Sequence, residues 1–276
     1  MKKSIKFFKI FIKYINKIIF GIFKIDIITK TKQFLKKKEL YIEIDISKKK
    51  TYFYAPNKLI KWRIETLYSK EPDTLEWINN FKKHSIFWDI GANIGLYSIY
   101  AAQNFTNLEI VSFEPSTNNT RVLSKNISKN NLENLIKIYP CALSNVKNTF
   151  FDMNESSTIE GSAHNSFGKS IDQYGKEFNP ENRYKIFGTT IDQLIEDEVL
   201  SVPNYIKIDV DGFEHNILDG AKKCLRSTNL KSILIELNEN YEYQYNEVKK
   251  IMRDNDFKVL KKTSLTNSFY NYIFIR

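Results

Sequence analysis

Residues 86–95 read Ile-Phe-Trp-Asp-Ile-Gly-Ala-Asn-Ile-Gly. An apolar run ends in an acid, Asp89, and the turn that follows spells Asp-x-Gly-x-Asn-x-Gly. A helical pattern then opens at Leu96, Ile99 and Tyr100. Strand, glycine-rich turn and helix start is the arrangement by which an open α/β sheet holds a nucleotide-like group. Gly91 and Gly95 let the backbone turn sharply and approach a ligand with no Cβ in the way. The turn also aims the first amides of the helix at whatever is bound. A second acid, Glu114, closes the apolar run Glu109-Ile-Val-Ser-Phe-Glu114-Pro115, nineteen residues past Gly95. At about that spacing in a βαβ unit an acid reaches ribose hydroxyls.

The turn also discriminates between ligands. A dinucleotide fingerprint is Gly-x-Gly-x-x-Gly, whose close glycines admit a pyrophosphate; this chain has no such run. A carboxylate at Asp89 would repel a pyrophosphate and accept a hydrogen bond from an ammonium. S-adenosylmethionine carries an ammonium and a sulfonium and no phosphate, so it is the cofactor this pattern selects.

Alternating segments set these residues on a scaffold. Strands are expected at 86–90, 109–113, about 135–141, 205–210 and 232–237, with helices at 117–130, 214–225 and 244–254. Such alternation predicts an α/β fold with a mostly parallel, doubly wound sheet. Strands at 256–261 and 268–275 are separated only by Thr263–Asn267, too short for a crossover helix, so they should form an antiparallel C-terminal hairpin. Residues 40–45 and 51–55 read as short strands. Residues 145–190 are polar, hold Gly161, Gly168, Gly175 and Gly188, and interrupt the alternation as an insertion, a lid or acceptor-binding element.

Composition divides the chain in two. Residues 1–38 hold twelve lysines against one acid, Asp26, a balance of +11, whereas 39–276 hold 30 basic and 31 acidic residues, a balance of −1. The expected organisation is therefore a basic segment, 1–38, and a cofactor-binding domain, 39–276. The near-neutral domain argues against a nucleic-acid groove. In the leader, Lys6, Lys9, Lys13, Lys17 and Lys24 recur at helical spacing among Ile5, Phe8, Phe11, Ile12, Ile15, Ile19, Phe20 and Phe23. The apolar runs are too broken for a spanning helix or a signal peptide. Such a helix either lies on an anionic membrane face or packs its apolar side on protein. Cys141 and Cys224 lie in apolar patterns and form no disulfide framework or zinc spacing, which fits a reducing cytoplasm, where the leader would meet either the inner membrane face or protein.

With these segments placed, the chain resembles the FkbM family of S-adenosylmethionine-dependent methyltransferases over roughly residues 60–275. The matching pieces are Glu71-Pro-Asp-Thr74, Trp88-Asp-Ile-Gly-Ala-Asn-Ile-Gly-Leu-Tyr-Ser98, Phe113-Glu-Pro115, Ala142-Leu-Ser144, Thr190-Ile-Asp-Gln-Leu194, Ile206-Lys-Ile-Asp-Val-Asp-Gly-Phe-Glu214 and Glu236-Leu-Asn238. The resemblance implies a Rossmann-like class I methyltransferase fold. It also implies methyl transfer to an oxygen acceptor, often a sugar hydroxyl on a glycan or related metabolite. By position it makes Asp89, Gly91, Asn93 and Gly95 the methionine-side loop and Glu114 the ribose acid. Pro115 would shape the adenine edge, Ala142 and Ser144 an adenine-side wall, and Asp209 would face the methyl group and acceptor.

A sugar hydroxyl must lose its proton as the new bond forms. Of the three histidines, His84 precedes the first strand at the wrong end of the sheet and His215 adjoins Glu214 at a helix start. His164, in the insertion, is the histidine placed to serve. Asp209 and Glu236 end neighbouring strands, so their oxygens should meet on one rim, with Asn238 nearby. They could cradle a divalent cation; the simpler reading, with Asp209 positioning ligand and no metal held, is favoured. Asp211 and Glu214 should cap the next helix, and Lys207 should turn away or pair with an acid. Two other functions compete. A nicotinamide-dependent oxidoreductase lacks its fingerprint here, and a membrane-associated, non-enzymatic scaffold with a vestigial cofactor fold has no need of so intact a run of cofactor residues.

Overall fold

A computed structural model describes residues 2–23, 26–31 and 40–276. The chain divides into two compact units, Met1–Tyr41 and Ile42–Arg276. In the first, Lys2–Phe23 is a continuous helix, along which Ile10, Phe11, Tyr14, Ile18 and Ile22 are exposed. The expected contributions of Lys24 and of 32–38 lie outside the described residues. No described helix is long and apolar enough to cross a membrane.

The second unit opens on a hairpin, β1 (Tyr41–Ile46) and β2 (Lys49–Tyr54). Ser47 and Lys48 at its tip both have positive φ, as a two-residue turn matched to strand twist requires. Helices 58–65, 67–70 and 72–79 lead into the first strands of the main sheet, β3 (Ile86–Ile90), β4 (Glu109–Phe113) and β5 (Ile136–Tyr139). The polar insertion follows with β6 (Ala142–Leu143), β7 (Thr149–Glu155), β8 (Ser166–Phe167) and β9 (Asn182–Thr189). The main sheet then resumes with β10 (Tyr205–Ile208), β11 (Ser232–Asn238), β12 (Lys258–Ser264) and β13 (Phe269–Ile275).

The seven strands of the main sheet lie in the order β12-β13-β11-β10-β3-β4-β5. The pairs from β11 to β5 are parallel, and β13 runs antiparallel to both β11 and β12. This is the Rossmann-like class I methyltransferase fold, with its antiparallel C-terminal hairpin. The chain goes from β3 outward to β5 and restarts on the other side of β3 at β10. The switch point between β3 and β10 is where such sheets open a crevice for ligand.

Strand alternation divides the core into two layers. Trp88, Ile90, Val111, Phe113, Ile206, Ile208, Ile233 and Ile235 point to one face, which is apolar throughout. On the other face Phe87, Ile110, Tyr205 and Leu234 are apolar. Two residues further along the same strands, that face carries Asp89, Ser112, Lys207 and Glu236 instead. The polar cluster therefore sits at the C-terminal ends of β3, β4, β10 and β11.

The insertion is a structure of its own, a four-stranded sheet of order β6-β9-β7-β8. Two expectations need correction. The strand expected to run to residue 141 stops at Tyr139, because Pro140 has no amide to donate, and Ala142–Leu143 pairs with β9 instead. The single helix expected at 214–225 is two, Glu214–Asp219 and Lys222–Arg226, broken at Gly220. A Cβ on Gly220 would fall 2.1 Å from Ser144 O, so the chain passes too close there for any other residue.

Candidate active site

The glycine turn is built from residues in the left-handed region: Gly91, Asn93 and Gly95 have φ of 83°, 51° and 86°. Gly91 and Ala92 N–H both donate to Phe113 O, at 2.9 and 3.0 Å, which ties the turn to the end of β4. A Cβ on Gly91 would lie 1.9 Å from Asp209 O, so this position accepts glycine alone. Asn93 N–H donates to Glu114 Oε2 at 2.7 Å, and Asn93 Nδ2 donates to Ser162 O at 3.0 Å. Gly95 opens the helix Leu96–Asn104.

Asp89 is fully buried; its Oδ2 accepts from Ser98 Oγ at 2.6 Å, and Ser98 also meets Ser112 Oγ at 2.7 Å. Asp89 Oδ1 and Asn93 Oδ1 are buried and have no donor among the described residues. Buried acceptors without partners are uncommon and point to a missing donor. Burial, opposed by the nearby Lys207, raises the Asp89 carboxyl above its ordinary range. Glu114 accepts from Asn93 N and, at 2.9 Å, from Ser116 N. Burial nonetheless lifts it to about 7, because those two bonds offset only part of the lost hydration.

Two hollows meet at Gly91, the residue they share. The larger, of about 430 Å³, has apolar walls that include Leu59, Trp62, Leu67 and Leu96; its polar character comes from its charged set, Arg63, Lys70, Glu71, His164, Lys207, Asp209, Asp211 and Glu236, with Asn93 and Tyr97. The smaller, of about 50 Å³, is apolar, lined by Ile90, Phe113, Pro115, Ala142, Met153, Phe167 and Ile217 among others. Glu114 lines neither: it is buried, joined to the larger hollow through its bond from Asn93 N–H. Ser144 lines neither: its Oγ accepts from Val146 N at 3.1 Å and caps the local turn.

In the polar hollow the acids differ sharply. Lys207, 1% exposed at its side chain, pairs with Asp209 Oδ2 at 2.8 Å and lies over the Tyr97 ring. Burial alone would raise Asp209, but Lys207 and Lys70 hold its carboxyl below the usual range. Lys207 in turn stays charged despite burial because Asp209, Glu71 and Asp89 surround it. Glu71 is buried, pairs with Lys70 at 2.9 Å and accepts from Thr74 Oγ1 and Asn271 Nδ2, both at 3.1 Å. Glu236 accepts no hydrogen bond from a described residue; burial and the neighbouring Asp209 and Glu71 push it well above the carboxylate range.

His164 reaches the same hollow from the insertion. Its backbone N–H donates to Asp211 Oδ2 at 2.6 Å, and its Nδ1 lies 3.6 Å from Asp211 Oδ1. Asp211 thus holds the insertion rather than capping a helix. Glu214 accepts from Val210 and Gly212 N–H and is buried beside Gln244, so it shapes the loop beyond β10. Six hydrogen bonds fix the 160–164 segment as a wall: to Asn57, Arg63, Asn93, Asn119 twice, and Asp211. His84 is exposed and bonds Asn107, far from this rim. His215 packs between Tyr241 and Tyr243, outside the hollow.

The structure thus brings Asp209, His164 and Glu236 to one hollow, and Pro115 and Ala142 to the other. Sequence reasoning missed Lys70, Glu71, Tyr97 and Arg63. Glu71 had the look of a helix-start acid before Pro72, yet it makes no capping bond to that helix. A signal existed in Ile206-Lys-Ile208: a lysine inside a buried parallel strand must be paired.

The Methyltransferase FkbM domain profile matches residues 89–259. "Methyltransferase sdnD" of Sordaria araneosa is 27% identical over 166 residues, 52% of this chain and 62% of that protein. The chain therefore spans less than two thirds of that relative's length. "Hexuronic acid methyltransferase AglP" of Haloferax volcanii is 22% identical over 209 residues, 72% of this chain and 79% of that protein. Among solved structures, that of methyltransferase FkbM from Methylobacillus flagellatus KT is similar with a TM-score of 0.49 and 14% identity. The match covers 71% of this chain and 44% of that one.

Proposed function

The chain belongs to the FkbM methyltransferase family, and from that premise we propose that it transfers a methyl group from S-adenosylmethionine to a sugar hydroxyl, on a glycan or related metabolite. The observation that carries this reading is the pair of hollows joined at Gly91. One is apolar, as an adenine requires. The other is lined by Asn93, whose buried Oδ1 has no donor among the described residues, as an ammonium would satisfy; Asp89 lines neither hollow and lies buried below the turn. Glu114, joined to the larger hollow through Asn93, is the acid for the ribose.

The bound donor supplies a carbon already activated by a sulfonium. The protein's part is to align an acceptor oxygen about 3 Å from that carbon, exclude water and take the proton. Asp209, locked to Lys207 and kept ionised, orients the acceptor. Glu236, with no partner among the described residues and an elevated pKa, is the base; His164 walls the hollow from the insertion side. The "hexuronic acid" in the name of the AglP relative supports a sugar acceptor. The test is calorimetry with S-adenosylhomocysteine and NAD, followed by labelled methyl transfer into cell-envelope glycans. Binding of the first and label in a glycan are expected. Binding of NAD in its place would replace the reading with an oxidoreductase, and donor binding with no label in any extract would favour a non-enzymatic role.

We further propose that residues 1–38 bring the enzyme to the cytoplasmic face of an anionic membrane. Exposed Ile10, Phe11 and Ile18 on a lysine-rich helix support this, each surface lysine adding about 1 kcal/mol. Deletion of 1–38 should abolish co-sedimentation with phosphatidylserine vesicles; persistence would assign the helix to packing.

A further inference from the structure

The polar hollow holds two internal ion pairs, Lys70 with Glu71 and Lys207 with Asp209, and a contact of His164 Nδ1 with Asp211 Oδ1 at 3.6 Å. Two charged side chains of its lining are in no contact ion pair among the described residues, the cation Arg63, which acts on Asp209 and Asp211 from a distance, and the acid Glu236. Arg63 donates through Nε to Gly161 O at 2.7 Å. That bond fixes the guanidinium plane and leaves its two terminal amino groups without an acceptor among the described residues. A guanidinium so held is a fork for a carboxylate.

Its neighbours decide whose carboxylate. Gly161 precedes Ser162, whose carbonyl is gripped by Asn93 Nδ2 and Asn119 Nδ2, both at 3.0 Å. Arg63 is therefore tied through one residue of chain to the glycine turn. Lys70, His164 and Glu236 also border an adjoining hollow lined by Leu265, Asn267 and Phe269, which Arg63 does not line. We infer that Arg63 binds the α-carboxylate of the methyl donor, opposite the ammonium that Asn93 accepts. The inference rests on the S-adenosylmethionine reading and adds to it the one charged group of the donor that neither Asp89 nor Glu114 can receive. It also gives the insertion a role in donor binding, since its Gly161 carbonyl sets the guanidinium.

Calorimetry on the full chain tests this with two ligands: S-adenosylhomocysteine, and S-adenosyl-3-thiopropylamine, which keeps the amine and lacks the carboxylate. The wild type should prefer the first by roughly 10- to 100-fold, the usual range for a charge-assisted pair. Arg63→Met should weaken S-adenosylhomocysteine by that factor and leave the amine within about twofold. Arg63→Lys, which keeps the charge and loses the fork, should fall between. Unchanged S-adenosylhomocysteine affinity in Arg63→Met would overturn the inference. So would equal weakening of both ligands, which would make Arg63 a structural tie to Gly161. A rise in acceptor KM alone would overturn it in favour of an acceptor carboxylate. A wild type that binds neither ligand would instead remove the cofactor reading on which the inference stands.

Discussion

The two hollows beside Gly91 draw on different strands of one sheet and differ in chemistry. The apolar one takes its walls from β3 and β4 residues on the face that is hydrophobic along its whole length. The polar one takes its floor from the opposite face, where Lys207 and Glu236 replace the pattern set by Tyr205 and Leu234 two residues earlier. The difference suits a ligand with one aromatic, neutral end and one zwitterionic end, and under the proposed function its middle passes Gly91.

Breaking the junction should have the largest effect. Gly91→Ala places a methyl 1.9 Å from Asp209 O, in a backbone region that strains any L side chain. It should abolish measurable S-adenosylhomocysteine binding while thermal unfolding stays cooperative. Retained binding would mean that the hollows do not act together. Next, Glu236→Gln should lower kcat by about 10²- to 10⁴-fold, the range for a lost general base, with donor affinity intact. In the wild type kcat should rise as pH climbs through the elevated Glu236 pKa, since only the ionised form takes a proton. An unchanged profile in the Gln variant would assign the proton to another group.

Filling the other hollow sharpens the contrast. Ala142→Phe should weaken S-adenosylhomocysteine and 5′-methylthioadenosine alike, by about tenfold or more, because both carry the adenine. Selective loss of one ligand would misplace that end. The smallest expected effect is at the buried ribose acid. Glu114 has its pKa raised to about 7, so donor affinity should fall as pH drops below that value and the carboxylate is lost. Its linkage to folding has the opposite sign. The raised native pKa destabilises the fold at and above about 7, and this penalty fades as pH falls toward the ordinary glutamate value. Glu114→Gln should flatten both dependences in binding and melting curves.

The strands that carry the turn were readable because each is a short apolar run with a hard stop, Gly91 after β3 and Pro115 after β4. The C-terminal hairpin was readable from the length of Thr263–Asn267. What escaped were features fixed by neighbours distant in sequence. Gly220 breaks a helix because Ser144 passes it, and nothing within residues 214–225 announces that neighbour. β7 and β9 pair across an insertion whose exposed outer face hides the alternation. The same holds in the site. Asp89, Gly91, Asn93 and Gly95 lie in one turn and could be read together. Glu71 and Lys207 are far apart in sequence and meet only where the helix start at Pro72 packs over β10. Lys70 precedes Glu71 and was hidden by the same helix-start pattern.

A crystal structure with S-adenosylhomocysteine bound measures the central claim most directly. The adenine should lie in the hollow of Pro115, Ala142 and Ile217, and the ribose beside Glu114. The amino-acid tail should cross Gly91 to reach Asn93 and Arg63. A nucleoside seated within the polar hollow, or a ligand lodged away from Gly91, would contradict the account.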